Sequence, residues 1–190
     1  MNPALSKPSV LRSFGLAFAV TALLAPSVGC GKIRDKIVEK AAEKAAEKAI
    51  ESQTGGEANL DAKNGSLTIK GKDGAEATVT GGGNAKIPEN FPKTIPIYKG
   101  SKVTASMSSK QGNKAFTMVT LGTSDDPDTV AKYYKGELGK MKSIGEFSTG
   151  EMHTMTFQDA AAKNSVSVTV ARSPGAKETQ VTLTSTTDAT

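Results

Sequence analysis

Cys30 is the only cysteine of this 190-residue chain, and its thiol is the side chain best suited to covalent chemistry. A thiolate is a strong nucleophile that can be alkylated, oxidised or bound by a soft metal. Because no second cysteine can pair with it, a free thiol here would be a reactive hazard in an oxidising compartment. The residues around Cys30 therefore decide what its thiol is for.

The 29 residues before Cys30 have the organisation of an export signal. Lys7 and Arg12 make the start basic, residues 13–25 form an uncharged apolar run, and small residues lead into the cysteine. This order is typical of a secretory signal peptide. The apolar run is also shorter than the ~20 residues that span a bilayer. The sequence predicts a signal peptide over residues 1–29, cleaved between Gly29 and Cys30.

The junction Ser27-Val28-Gly29-Cys30 resembles the lipobox of bacterial lipoproteins. In that family the thiol receives a diacylglycerol before cleavage, so the resemblance implies that Cys30 carries acyl chains such as palmitate and anchors the protein to a membrane. Gly31 stands where an Asp would resemble an inner-membrane retention signal, so in a cell with two membranes we expect the outer membrane. Ser27 departs from the aliphatic residue usual in a lipobox, and Ser27 with Gly29 also suits an ordinary signal peptidase, which would leave a free thiol in the periplasm or outside the cell.

His153 is the only histidine, within the run Met152-His153-Thr154-Met155. Imidazole and thioether groups suit Cu(I), but on a strand Met152 points away from His153 and Met155. Two ligands on one face are too few for a site, so we expect Met155 in the core and no metal.

The remaining candidates for catalysis are weak. Asp125, Asp126 and Asp128 have the position of helix-start acids that the helix dipole favours. Gly81-Gly82-Gly83 lacks the Lys-Ser/Thr of a phosphate loop, and no nucleophile elbow or calcium-loop spacing is present. We therefore expect no catalytic residues, no cofactor and a protein that is not an enzyme.

Residues 30–56 are expected to form a lipidated N-terminus followed by a charged helical spacer. The Glu-Lys-Ala-Ala repeats consist of residues with high helix propensity, and they place opposite charges three residues apart. The apolar pairs recur every four residues and so turn about 40° per repeat around the helix, which makes a poor coiled-coil seam. A solvated spacer is the expected role. Weak self-association, or contact of Ile33, Ile37 and Val38 with the lipid surface, are the alternatives.

Residues 57–86 are expected to form a small β meander ending in a Gly-rich joint. Asn64-Gly65 between two alternating runs is a strong hairpin signal. Whether this meander docks on the rest of the protein is left open by the sequence.

Residues 87–190 are expected to form the main domain. Prolines 88, 92 and 96 stiffen a segment whose apolar residues pack along the domain edge. Strands are predicted at residues 102–108, 115–121, 143–147, 152–157, 166–171 and 179–184, with Val103, Ala105 and Met107 on one face. Asp126 and Pro127 predict a helix start. The expected fold is α+β: an antiparallel sheet in ββαββββ order with one amphipathic helix on one face and a Ser/Thr-rich face left open.

Residues 87–158 are similar to small uncharacterised bacterial envelope lipoproteins, a resemblance that implies no activity. The first 29 residues hold two of the 24 basic residues and none of the 19 acidic ones, so the remainder carries a formal charge of +3. This dispersed charge is not that of a nucleic-acid-binding protein. We expect a non-enzymatic interaction or accessory role at a membrane, with an envelope protein as partner. The alternative is a carrier that binds an apolar ligand between helix and sheet. The oligomeric state is left open.

Overall fold

The computed structural model describes residues 34–159 and 164–188. In these residues the chain forms two α-helices, one short 3-10 helix (Gly82–Asn84) and one nine-stranded antiparallel sheet, which confirms the α+β class. The α-helices are α1 (Arg34–Thr54) and α2 (Pro127–Glu137). The strands are β1 (Glu57–Asp61), β2 (Ser66–Lys70), β3 (Glu76–Gly81), β4 (Lys102–Gln111), β5 (Lys114–Thr123), β6 (Lys142–Thr149), β7 (Met152–Asp159), β8 (Asn164–Ala171) and β9 (Thr179–Asp188).

The strands lie in the order β1-β2-β3-β4-β5-β9-β8-β7-β6. The predicted ββαββββ order is wrong for this sheet, because the three meander strands belong to it as well. Strand β3 pairs with β4 from Glu76↔Lys110 to Gly81↔Ala105. The physical reason is that a meander with so few apolar side chains is marginal alone, and this pairing also satisfies the backbone groups along one of its edges.

The turn between β1 and β2 contains the predicted Asn64-Gly65 pair, and the hairpin is confirmed by the register Asp61↔Ser66. Gly65 has a φ of 61°, which a residue with a side chain rarely adopts. A Cβ atom there would also lie 2.5 Å from the carbonyl oxygen of Gly81. Glycine is therefore required at this turn by both conformation and space.

Helix α1 lies along the open edge of β1. Three of its glutamates, spaced four residues apart, accept hydrogen bonds of 2.8–3.2 Å from backbone amides on alternate residues at this edge. The three pairs, which we call the glutamate ladder, are Glu43 with Ala62, Glu47 with Leu60 and Glu51 with Ala58. Four helix residues rise about 6 Å and two strand residues about 6.7 Å, so the two spacings nearly match. One side of α1 is thus occupied by an edge strand rather than by solvent.

Helix α2 begins as predicted. Asp126 is its N-cap, accepting from the Asp128 amide at 3.0 Å, and Pro127 is its first residue. The helix crosses β7 and β8 and presents Val130, Tyr134 and Leu138 to the core. The sheet residues that complete this core are Val119, Leu121, Met155, Phe157, Val166, Val168, Val170, Val181 and Leu183.

The proline-rich segment before β4 packs against the same core, as predicted. Phe91 and Ile95 are buried. The Tyr98 amide donates to the Tyr134 hydroxyl at 3.2 Å, and the Tyr98 hydroxyl donates to Asp125 at 2.7 Å. Edge-to-face contacts through Tyr133 complete an aromatic cluster, with centroids 5.0 and 5.1 Å apart.

Strand β4 contains an irregularity that the sequence did not predict. Val103 pairs with Leu121 and Ala105 with Thr120, so Thr104 is an extra residue outside the pairing register, and its hydroxyl donates to the Thr120 carbonyl at 3.2 Å. A bulge of this kind shifts the alternation of side chains between the two faces. The prediction that Val103, Ala105 and Met107 share one face is therefore wrong: Val103 packs against the core, whereas the other two lie on the opposite face.

Candidate functional site

The residues predicted to carry the membrane anchor, Gly29 and Cys30, lie outside the described residues. No described helix combines the length and apolarity that crossing a membrane requires. The described residues contain three candidate sites on or beside the sheet: a histidine cluster, an exposed strand edge and a polar cleft.

His153 contacts two polar side chains. It stands opposite Ser148 in the β6–β7 ladder, and its Nδ1 lies 3.0 Å from the serine hydroxyl. Its Nε2 lies 2.8 Å from Asp128 Oδ1 on α2, a close electrostatic approach that lacks the alignment of a hydrogen bond. Met155 is buried on the same strand, as predicted, whereas Met152 is partly exposed. The histidine thus connects β6 and β7 to the start of α2.

The combination of Ser148, His153 and Asp128 contains the residue types of a hydrolase triad, but its geometry favours a structural role. Nucleophilic catalysis needs an oriented acid behind the histidine and donors aimed at the developing oxyanion. Here the Asp128 side chain is 83% exposed, and the serine lies on a fully exposed edge strand. Lys135 and Glu146, 2.8 Å apart, make a second tie between α2 and β6.

The other acids at the start of α2 also have structural partners. The Asp125 carbonyl accepts from the Arg172 guanidinium at 2.7 Å and from the Thr179 hydroxyl at 2.6 Å. Asp126 caps the helix. These bonds could not be read from the sequence, because Asp125 lies 47 residues from Arg172 and 54 residues from Thr179. Within residues 34–159 and 164–188, no cluster of three or more His, Cys, Asp or Glu side chains could hold a metal ion.

The space between α2 and the sheet is filled by the protein itself. Val130 and Tyr134 are 0% exposed and Leu138 is 1% exposed, and they meet β-strand side chains that are equally inaccessible. Together these side chains form the hydrophobic core of the domain.

Strand β6 forms an exposed edge of the sheet. All eight of its residues are exposed, including Ile144 and Phe147, which are 52% and 59% accessible. Phe147 pairs with Thr154, which places it on the face opposite α2. Ile144 interrupts the ladder between Ser143 and Gly145. Sequence reasoning missed this edge, because nothing in the local sequence separates Ile144 and Phe147 from apolar residues that face a core.

A polar cleft of about 650 Å³ lies at the other end of the sheet. Its floor consists of five hydroxyl side chains from β2, β3 and β4, which we call the hydroxyl floor: Ser66, Thr78, Thr80, Ser106 and Ser108. Its wall is formed by residues 84–90, with Asn64 at one end. Sequence reasoning missed this cleft, because the hydroxyls come together only when β3 pairs with β4.

The comparisons with known proteins return no relative: no family model, no curated protein and no solved structure matches this chain.

Proposed function

We propose that this chain is a bacterial envelope lipoprotein, anchored through acyl chains on Cys30, whose sheet domain binds a partner protein without catalysing a reaction. The anchor is supported by the sequence alone: a basic start, a short apolar run and small residues before a lone cysteine. Several acyl chains on one residue give stable anchoring, since each buried CH₂ contributes about 0.8 kcal/mol. In a cell with two membranes the proposed location is the outer membrane.

The observation that carries the interaction role is the exposure of β6. Soluble proteins normally protect an edge strand with charges, a cover or a strong bulge, and they bury large apolar side chains near it. Here the β1 edge is covered by the glutamate ladder. Strand β6 has an irregularity at Ile144 and a charged pair at Glu146, yet it still exposes an aromatic and a branched aliphatic side chain. The contrast between the two edges points to β6 as the docking strand.

The partner that fits β6 is an extended segment of another envelope protein. Such a segment adds to a sheet by main-chain hydrogen bonds, while apolar side chains on alternate residues contact pockets or exposed apolar groups. Strand β6 lies at the opposite edge of the sheet from β1, the edge that α1 covers. Helix α1 therefore does not compete with a partner segment for β6.

A non-enzymatic role is supported by the structural contacts of the polar side chains that could otherwise have been catalytic. The histidine cluster, the acids before α2 and Arg172 each join one element to another. The hydroxyl-rich surfaces of the sheet are suited to binding and not to proton transfer at neutral pH.

The anchor is tested by intact mass and membrane fractionation of the wild type beside Cys30→Ser. We expect a wild-type mass that begins at residue 30 and includes acyl chains, with the variant unprocessed or released from the membrane. A wild-type product without acyl mass that stays soluble would refute the lipoprotein proposal.

The docking role is tested by placing a photo-crosslinking phenylalanine analogue at position 147 in cells. The matched control places it at Ile87, an apolar residue of comparable exposure (42%) at the other end of the sheet. We expect an adduct with a second protein at position 147 only, and the purified partner should slow hydrogen exchange of the β6 amides. Adducts equal at both positions, an adduct of two copies of this chain, or unprotected β6 amides would refute docking of a partner segment.

A further inference from the structure

We propose that the polar cleft binds a neutral oligosaccharide. This ligand class is argued from four features of the cleft: its hydroxyl floor, its amide and apolar wall, its balanced charge and its size. The proposal is independent of partner docking at β6, which lies at the opposite edge of the sheet.

The hydroxyl floor is a regular array on one face of three paired strands. Ser66 pairs with Thr80 and Thr80 with Ser106, so their side chains share a face at the strand spacing of about 4.8 Å. A hydroxyl can donate one hydrogen bond and accept two. An array of such groups therefore matches a ligand that itself carries many hydroxyls, and it makes no demand for ligand charge.

Part of this hydrogen-bonding capacity is not used by the protein. Thr80 and Ser106 bond to each other at 2.7 Å, and Thr78 bonds to Thr68 at 3.2 Å. Ser66 and Ser108 have no side-chain partner within residues 34–159 and 164–188. The row that contains Ser108 continues to Thr117 and Ser185.

The hydroxyls of Thr117 and Ser185 are buried, and they too have no hydrogen-bond partner among the described residues. Buried hydroxyls are normally satisfied. These two side chains are too buried to reach a ligand and do not line the cleft, so the free hydroxyls open to an external polar ligand are those of Ser66 and Ser108.

The wall supplies the two other contacts that a sugar needs. The amide side chains of Asn64, Asn84 and Asn90 line the cleft. The first two already donate one hydrogen bond each, to Asp61 and to the Lys63 carbonyl, but each amide has a second N–H and an oxygen that accepts. Ile87, 42% exposed, and Pro88 offer an apolar surface for the C–H face of a sugar ring. A ligand pocket typically combines such an apolar surface with a few placed polar groups.

The charge and size of the cleft narrow the ligand class further. Its lining includes one cation, Lys86, and one anion, Glu89, so it has no net charge to attract a phosphate or an acidic polymer. The volume of about 650 Å³ falls within the range of about 300–1,000 Å³ usual for ligand pockets. We infer a neutral sugar chain of a few residues rather than a single ion or a large lipid.

The test is isothermal titration of the full chain in detergent with chitotriose, cellotriose and maltotriose, and with a galacturonic acid trimer as a charged comparison. We expect saturable binding of at least one neutral trisaccharide and weaker binding of the charged one. Ser108→Val and Asn90→Ala should each weaken the bound trisaccharide about fivefold, the effect of losing one hydrogen bond. Asn90 is an exposed wall residue, so its substitution leaves the fold intact even if the floor variant does not fold.

Thr186→Val is the matched control, because Thr186 pairs with Phe116 and lies on the opposite face of the sheet. It should leave binding unchanged. The proposal is overturned if none of the three neutral sugars binds, if the charged trimer binds as well as they do, or if Thr186→Val weakens binding as much as the cleft variants.

Discussion

Removing the glutamate ladder tests whether α1 protects the β1 edge. We consider the triple substitution of Glu43, Glu47 and Glu51 by alanine. Alanine has the highest helix propensity, so any loss of stability cannot come from weaker helix formation. The three amides of β1 that the ladder satisfies would then face solvent.

The magnitude follows from three hydrogen bonds of 2.8–3.2 Å at an edge that is only partly buried. A hydrogen bond contributes about 0.5–1.5 kcal/mol net, and solvent access keeps these toward the low end. We therefore expect a loss of about 2 kcal/mol in the free energy of unfolding. Glutamine in place of each glutamate keeps an acceptor oxygen without its charge. The glutamine variant should keep about half of the stabilisation that the glutamates provide, because charge-assisted hydrogen bonds are roughly twice as strong as neutral ones.

The assay is hydrogen exchange of the Ala58, Leu60 and Ala62 amides, followed beside chemical denaturation. Each amide should exchange about five- to tenfold faster when its own glutamate is replaced. The control replaces the exposed Lys40, Lys44 and Lys48 of the same helix by alanine, which should leave the β1 amides unchanged. If Leu60 exchanges at the same rate in Glu47→Ala and in the wild type, the ladder does not protect the edge and the reasoning fails.

Three further substitutions test the turn and the core. Burial raises the pKa of the Tyr134 hydroxyl, so the folded protein holds this proton more tightly than the unfolded chain does. The stability that results is complete below about pH 10 and is lost as the pH rises further. Tyr134→Phe should lower the free energy of unfolding by about 1 kcal/mol at neutral pH, because the bond from the Tyr98 amide is lost. Above pH 10 the variant should lose stability less steeply than the wild type in thermal denaturation, because it has no hydroxyl to ionise. An equally steep loss in both proteins would contradict this. Gly65→Ala should destabilise by about 1–2 kcal/mol in urea, because it combines a positive φ with a clash at the Gly81 carbonyl, and a neutral result would show that the turn can rearrange. Leu138→Ala should cost about 2–5 kcal/mol by denaturation, since this side chain is 1% exposed; a loss below about 1 kcal/mol would mean that the helix is not fixed on the sheet.

Local signals in the sequence predicted the elements well. Asp126 and Pro127 marked the start of α2, and Asn64-Gly65 marked the first hairpin. These signals act within a few residues, through backbone dihedral preferences and capping bonds. The alternation of Val166, Val168 and Val170 likewise identified the buried face of β8, because one face of a strand must be apolar when it covers a core.

The sequence was less informative where distant segments meet. The extra residue Thr104 reversed the face of Val103, and no composition rule places a bulge at that residue. The nature of the β6 edge was also hidden, since Phe147 looks like any strand residue until its neighbours are known. Exposure is a property of the assembled sheet and not of a residue type.

The sequence by itself determined the start of α2, the tight turn at Asn64-Gly65 and the alternation of the strands, because each depends on neighbours along the chain. Only the tertiary structure decided that the meander joins the main sheet, that α1 lies on one edge while β6 stays open, and that hydroxyls from β2, β3 and β4 meet in one cleft. The reason is that strand pairing brings together residues tens of positions apart, and many pairings satisfy the same local pattern. The choice among them depends on which arrangement buries the most apolar surface while leaving the fewest backbone groups unpaired.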